Sequence, residues 1–331
     1  MTFLLSLVSL IPPPLLQMIL ALVVIMAFLG LNGMVLMYVE RKFAGFIQRR
    51  PGPYEVGPHG VLQPIADALK LLGKQLVMPA GADRILFWAA PIISFAPVVI
   101  CFLPMPLSPK LMGMDINLGL LLILAFSGLN VLALCLAGWA SNNKYSLLGA
   151  ARAVSQSVAY EIPLLLTVLS IAFQTGSLNL SKIALSQMDG LFSWHIFTQP
   201  LAFLIYLIST TAETNRAPFD LPEAESELTA GFHTEYSGMG FGLYFLGEYS
   251  YMVVVCAVAA VLFFGGWDGP FFPGPLWLII KTYALIAVLM WFRWTFPRVR
   301  FDQLLNVCWK WLIPLSLINL MVTALVVKIV Q

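Results

Sequence analysis

Residues 116–143 read INLGLLLILAFSGLNVLALCLAGWASNN, without a single Asp, Glu, Lys or Arg. A helix needs roughly 20 apolar residues to cross the hydrocarbon of a bilayer, and this stretch has them with room for tilt. Six more charge-free windows of at least 17 residues flank it: Met1–Val39, Ile85–Pro109, Ile162–Ser181, Gly190–Ala212, Tyr249–Trp267 and Trp311–Val327. An eighth, Pro275–Phe292, is interrupted only by Lys281. A soluble chain would break such runs with charges every turn or two. With 60% hydrophobic and 10% charged residues, the sequence predicts an all-α integral membrane protein of eight transmembrane helices.

The N-terminus lacks a basic region and a small-residue cleavage site, so it reads as a first span rather than a removable signal. With eight spans, alternate connections gather fourteen Lys and Arg on one side and leave four on the other. The positive-inside rule places the rich side in the cytoplasm and both termini outside. Four cysteines stand singly and three histidines are scattered, so the clustered ligands of iron–sulfur or zinc sites are not visible. The glycines of Gly238–Gly242 lack the preceding strand of a dinucleotide loop. The chain therefore carries no redox centre of its own.

The outer connections (about 105–116, 174–195 and 266–275) read as simple turns. The inner ones are long and charged. In the first, Glu40 to Arg84, the run Arg49-Arg50-Pro51-Gly52-Pro53 ends any helix. Beyond it Val61, Ile65, Ala68 and Leu72 recur at helical spacing, with Asp67, Lys70 and Lys74 on the other side. Such a helix lies in the membrane interface, as a surface anchor or as the wall of a cavity. No internal repeat appears, and residues 1–331 read as one polytopic domain with charged loops at about 40–84 and 213–240.

The third inner loop is the most informative. Six of the sixteen carboxylates fall within residues 213–235: Glu213, Asp220, Glu223, Glu225, Glu227 and Glu235, accompanied by Arg216. A charge run is usually a solvated face. Here Pro218, Phe219, Leu221, Pro222, Leu228 and Phe232 interleave with the acids, which indicates a packed loop. Carboxylates crowded at a low-dielectric boundary cannot all ionise, so some would titrate near neutrality, as a proton relay requires. Arg216 would hold a subset ionised. Glu161 and Glu248 sit in predicted helices near the inner ends of spans four and six, and Glu213 ends span five, which together favour a path. Glu40, beside Arg41 and Lys42, also reads as a simple ion pair. Lys281 can snorkel to the outer surface, and Trp291, Trp294, Trp309 and Trp311 suit an interfacial belt.

Four segments together carry a family resemblance: ERKFAGFIQRRPGP (40–53), GVLQPIADALKL (60–71), ETNRAPFD (213–220) continuing through Tyr236, and RWTFPRVRFDQ (293–303). The chain resembles the heel membrane subunits of the proton-pumping NADH:quinone oxidoreductase, respiratory complex I. The resemblance implies eight spans and inner loops that help enclose a chamber for the headgroup of ubiquinone or menaquinone. The roof would come from peripheral subunits bearing the terminal iron–sulfur cluster. Iron–sulfur clusters and FMN would lie in those partners, with none bound here. An acidic funnel would lead toward small and antiporter-like membrane subunits. The implied chamber and funnel residues are Glu40, Arg41, Lys42, Gln48, Arg49, Asp67, Lys70, Glu161, Glu213, Arg216, Phe219, Asp220, Glu223, Glu225, Glu227, Glu235, Glu248, Arg293, Arg298 and Arg300.

The implied location is a bacterial inner membrane, or the mitochondrial one for an organellar protein, with lipids and no nucleic acid as further partners. Two positions depart from the pattern: Gln75 follows Lys74 where a Glu is frequent, and Gly240 stands where a Lys is common. Two alternatives share the architecture or the composition. One is the equivalent subunit of an ion-translocating hydrogenase. The other is a stand-alone proton-coupled carrier, which would need substrate-lining polar groups deep in the spans or inverted repeats.

Overall fold

Leu, Ala, Val and Ile runs satisfy their backbone polar groups only as helices in a lipid environment, and helices dominate. The computed structural model describes residues 13–109, 111–188, 190, 193–222, 229–269 and 272–330. Helix α1 spans Pro13–Ile47, α2 Gln63–Gly73 and α3 Arg84–Cys101. A small hairpin, β1 (Pro106–Ser108) with β2 (Leu111–Met112), leads to α4 (Gly119–Ala140) and α5 (Lys144–Thr175). Then come α6 (Leu180–Leu185), α7 (His195–Thr198), α8 (Pro200–Glu213), α9 (Gly238–Phe263), α10 (Gly274–Thr295), α11 (Phe301–Val307) and α12 (Ile313–Val330). A π-helical turn, Cys308–Leu312, joins the last two into one continuous element.

Among the described residues, seven helices are long and apolar enough to cross a membrane. The window Gly190–Ala212 departs from expectation: it forms the short α7 and the 14-residue α8, broken at Gln199, whose backbone (φ −134°, ψ 60°) is not helical. Three boundaries also differ. The first helix runs on past Glu40 to Ile47, which places Glu40, Arg41 and Lys42 inside it. Glu161 lies in the middle of α5 rather than near its inner end. The outer connections are more than turns, since they contain the hairpin and α6, pinned by Asn179 Nδ2 donating to Asp115 Oδ1 at 2.8 Å.

Local chemistry sets the helix ends. Asp83 caps α3 by accepting from the N–H groups of Ile85 and Leu86, and Asn143 caps α5 by accepting from Tyr145 N. Gly176, at φ 64°, ends α5 in the left-handed conformation that glycine adopts without penalty.

Helix α9 is the axis of the bundle. Of its apolar window 83% is buried, against 11–44% for the other six. Its residues Met252–Phe263 pack with Leu36 of α1, Val98 of α3, Ile123 of α4, Val168 of α5, Tyr206 of α8 and Leu285 of α10. The charged connections meet at one end. There Asp83 N donates to Ala140 O, Val77 N to Ser237 Oγ, Ser146 Oγ to Phe232 O, and Val299 N to Pro218 O, all at 2.9–3.1 Å.

Helix α2 carries the expected amphipathic pattern. Its neighbour Leu62 and its own Ile65, Leu69 and Leu72 are exposed, while Asp67 faces Arg41.

Candidate functional site

The described parts of the loop, 214–222 and 229–237, are packed, as their interleaved apolar residues predict. Phe219 and Leu221 enter a cluster with Tyr160, Leu304 and Leu312, and Phe232 joins Phe87, Leu134 and Tyr244. Gln156 of α5, fully buried, donates Nε2 to Ala212 O at 2.7 Å and to Phe219 O at 2.9 Å, fixing the loop's entry. Further on, Gly231 lies so close to Gly149 that a Cβ on the latter would meet the Gly231 Cα at 2.7 Å. Only glycine permits that approach of loop to helix.

This packing buries Arg216, which is 2% exposed. Its Nη1 donates to Glu40 Oε2 at 2.5 Å, and its Nε lies 3.0 Å from Glu248 Oε1, within ion-pair range although the N–H does not aim along that line. Its guanidinium stacks over the Tyr249 ring at 4.4 Å. Glu40 is shared, because Arg293 Nη1 reaches its Oε1 at 2.6 Å and Tyr249 hydrogen bonds to it. Two arginines and two carboxylates from α1, the loop, α9 and α10 thus form one cluster, with Glu40 and Arg216 buried and Glu248 and Arg293 half-buried. Burial alone would lower the Arg216 pKa, and the Glu248 and Glu40 charges overcome it and hold the group above its ordinary value.

One expectation is corrected here and a second is widened. Glu40 is ion-paired, but to Arg216 and Arg293 rather than to its sequence neighbours Arg41 and Lys42. Arg216 ion-pairs with Glu40 and Glu248, which lie outside the acidic loop, and among the loop's described acids its charge also favours ionised Asp220.

Deeper lies a second group. Glu213, 6% exposed, accepts a hydrogen bond from Tyr251, and its Oε2 has no partner among the described residues. Glu161 is near enough to act on it electrostatically, and the Glu161 Oε1 lies 3.2 Å from where a Cβ on Gly128 would sit.

Asp220 pairs with Arg298 at 3.1 Å. Burial raises its pKa, and the Arg298 and Arg293 charges only partly offset that. On α2, Asp67 binds Arg41 at 2.6 Å, with Lys70 at 3.8 Å. Burial opposes ionisation there, but the Arg41 hydrogen bond and charge prevail and lower its pKa.

The remaining predicted residues stand apart from the cluster. Glu235 accepts from the helix-capping Asn143 at 2.5 Å, Lys42 points to Pro51 O at 3.5 Å, and Gln48 accepts from Arg50 at 2.6 Å. Arg49 is exposed at φ 54°, and Arg300 pairs with Asp302 at 3.7 Å on the surface. Glu223, Glu225 and Glu227 lie outside the described residues. Sequence reading passed over Gln156, Tyr249 and Tyr251. A lone Gln in a helix and two tyrosines in a greasy span carry no signal of their own.

A bundle of apolar helices enclosing paired charges where its charged connections meet is a polytopic membrane protein built around ionisable groups. A family model described as NADH dehydrogenase matches residues 19–324. The chain is 50% identical over 320 residues to the H subunit of NADH-quinone oxidoreductase from Desulfotalea psychrophila, covering 93% of this chain and 96% of that protein. It is 48% identical to the protein of the same name from Dehalococcoides mccartyi, over 92% of this chain and 85% of that one. The Carboxydothermus hydrogenoformans counterpart is 46% identical, over 92% and 88%. The chain belongs to the H-subunit family of NADH-quinone oxidoreductase, and works as a membrane subunit of that oxidoreductase, not as a catalyst alone.

Proposed function

We propose that the charged end of this bundle forms much of the wall of a quinone chamber, and that its buried carboxylates couple quinone reduction to proton translocation. The observation that carries this reading is the Glu40–Arg216–Glu248–Arg293 cluster. Buried charges are costly unless paired, and pairs with shared carboxylates can rearrange when a neighbouring charge changes. Quinone reduction consumes protons and would supply such a change.

On this reading Arg41, Lys42, Gln48, Arg49, Asp67, Lys70 and Phe219 border the chamber, and the exposed Leu62, Ile65, Leu69 and Leu72 meet the apolar tail. Glu223, Glu225 and Glu227 stand at the mouth of the funnel with Asp220 and Glu235. Glu248, Glu213 and Glu161 continue it inward, toward neighbouring small and antiporter-like subunits. Arg298 and Arg300 face the peripheral subunits, which hold the iron–sulfur clusters and FMN. The charged end faces the cytoplasm of a bacterial inner membrane, with α7 and α8 together forming the eighth crossing and both termini outside.

Glu213→Gln in the assembled complex tests the reading. Quinone reductase activity and proton pumping should fall together by roughly a hundredfold, the low end of what a placed proton-transfer group contributes. NADH oxidation by an artificial acceptor, which bypasses this subunit, should be unchanged. Wild-type coupled turnover in an assembled mutant would sink the funnel role.

A further inference from the structure

Glu248 and Glu213 belong to two separate polar groups. Glu248 pairs with Arg216, and Glu213 with Tyr251. Between them is a small, partly enclosed cavity of about 30 Å³ lined by Ser94, Asn130, Asn215, His233, Glu248 and Tyr251, among others. A water needs roughly 10–15 Å³ of such space and two to four polar partners, so the cavity has room for about two waters. Its polar lining supplies the partners: Ser94 Oγ already donates to Asn130 Oδ1 at 3.3 Å, leaving the Asn130 amide donors to spare. Tyr251 is the one residue that both lines this cavity and bonds Glu213. The Glu213 Oε2, buried without a partner among the described residues, is an acceptor still to be filled.

From this geometry we infer that Tyr251 is a relay hydroxyl, and that a pair of waters in the Ser94–Asn130–Asn215–His233 cavity connects it to Glu248. The inference deepens the funnel reading and rests on it. The step balances as a hop. A proton held by the Glu248 carboxyl passes to the first water, which releases one of its own to the second. The second water gives a proton to Tyr251 Oη as the tyrosine's original proton crosses to the Glu213 carboxylate. At each water and at Tyr251 one O–H bond is broken and one formed, Glu248 is left as a carboxylate and Glu213 becomes a carboxyl, Tyr251 is neutral before and after, and the hydroxyl then rotates to reset. A tyrosine suits the role because it donates and accepts at one atom without being ionised. The apolar residues Met252–Phe263 beyond it offer no continuation along α9.

The experiment uses the whole complex in proteoliposomes, with Tyr251→Phe, Asn130→Leu and Glu213→Gln compared side by side. Tyr251→Phe keeps the ring and removes only the hydroxyl. Quinone reductase turnover should fall on the order of tenfold or more, with a raised solvent deuterium isotope effect and unchanged NADH oxidation by an artificial acceptor. Asn130→Leu leaves Tyr251 in place but expels the water, and should slow turnover in the same way. A purely structural tyrosine would not move the isotope effect. If Glu213→Gln is slow while both other variants keep wild-type rates and isotope effects, the relay is wrong and the funnel stands. If all three are wild type, the funnel reading falls as well. Should Tyr251→Phe fail to assemble, Asn130→Leu alone decides, with wild-type turnover overturning the proposal.

Discussion

Among the described residues each end of the bundle buries one cation, and the two are satisfied in different ways. At the charged end Arg216 meets the side-chain carboxylates of Glu40 and Glu248. At the other end Lys281, 8% exposed, donates only to the backbone: to Phe264 O and Asp268 O at 2.6 Å and to Gly266 O at 3.0 Å. Its ammonium also sits 4.5 Å from the centre of the Trp194 ring. Gln187 and His195 complete the arrangement by bonding Gly265 N and the carbonyls of Val261 and Leu262. Lys281 thus ties the C-cap carbonyl of α9, at Phe264, to the turn that follows it, at a helix end where a positive charge is favoured. Backbone carbonyls cannot change protonation state, whereas carboxylates can. One end is built to hold still and the other to respond.

The strongest way to break this contrast is Arg216→Met. It strands Glu40 and Glu248 in the interior with fewer counter-charges. Removing one partner of a buried pair costs about 3–5 kcal/mol, so subunit assembly should weaken and quinone reductase activity should be lost. Arg216→Lys should restore assembly only in part, since an ammonium lacks the planar fork that reaches two carboxylates at once. Normal assembly and activity of the methionine variant, measured in purified complex, would remove the distinction between the ends.

Lys281→Met should destabilise by about 3 kcal/mol, the scale of a lost charge-assisted hydrogen bond with carbonyls left unsatisfied. The melting temperature should fall while quinone reductase turnover per assembled complex is unchanged. A fall in turnover like that expected for Arg216→Met would show that both cations serve the same purpose.

The smallest effect sharpens the picture of the loop. His233 is buried against Phe232, Phe241 and Phe245, and burial lowers its pKa from the ordinary 6.5 to about 4. Its folded value lies below its unfolded one, so between those limits the unfolded loop binds the extra proton. The stability it supports is complete above pH 6.5 and declines as pH falls toward 4. At pH 5 the loss amounts to about 2 kcal/mol. Protease cleavage of the loop should quicken across that interval, and His233→Phe should flatten the dependence.

The spans, the amphipathic α2 and the packed character of the acidic loop were legible because each depends on local pattern. Apolar runs, helical spacing and prolines among acids can all be read a few residues at a time. Glu40 and Lys281 were not legible for the opposite reason. Each has plausible company nearby in sequence, Arg41 and Lys42 for the first and the outer membrane surface for the second. Their actual partners are set by which helices pack against α9. The break at Gln199 was hidden too, because an apolar window is blind to whether its backbone stays helical.

The Glu40–Arg216 pair joins residues 176 positions apart in the chain. At the usual pace of about 5–20 residues per second, the ribosome needs roughly 9–35 s after making Glu40 to deliver its partner, and longer still to deliver Arg293. Helix α1 is therefore inserted with an orphaned carboxylate inside its last two turns. During that wait Arg41 and Lys42 are the only cations the sequence places beside it, escorts that are replaced once the loop after α8 and then α10 arrive.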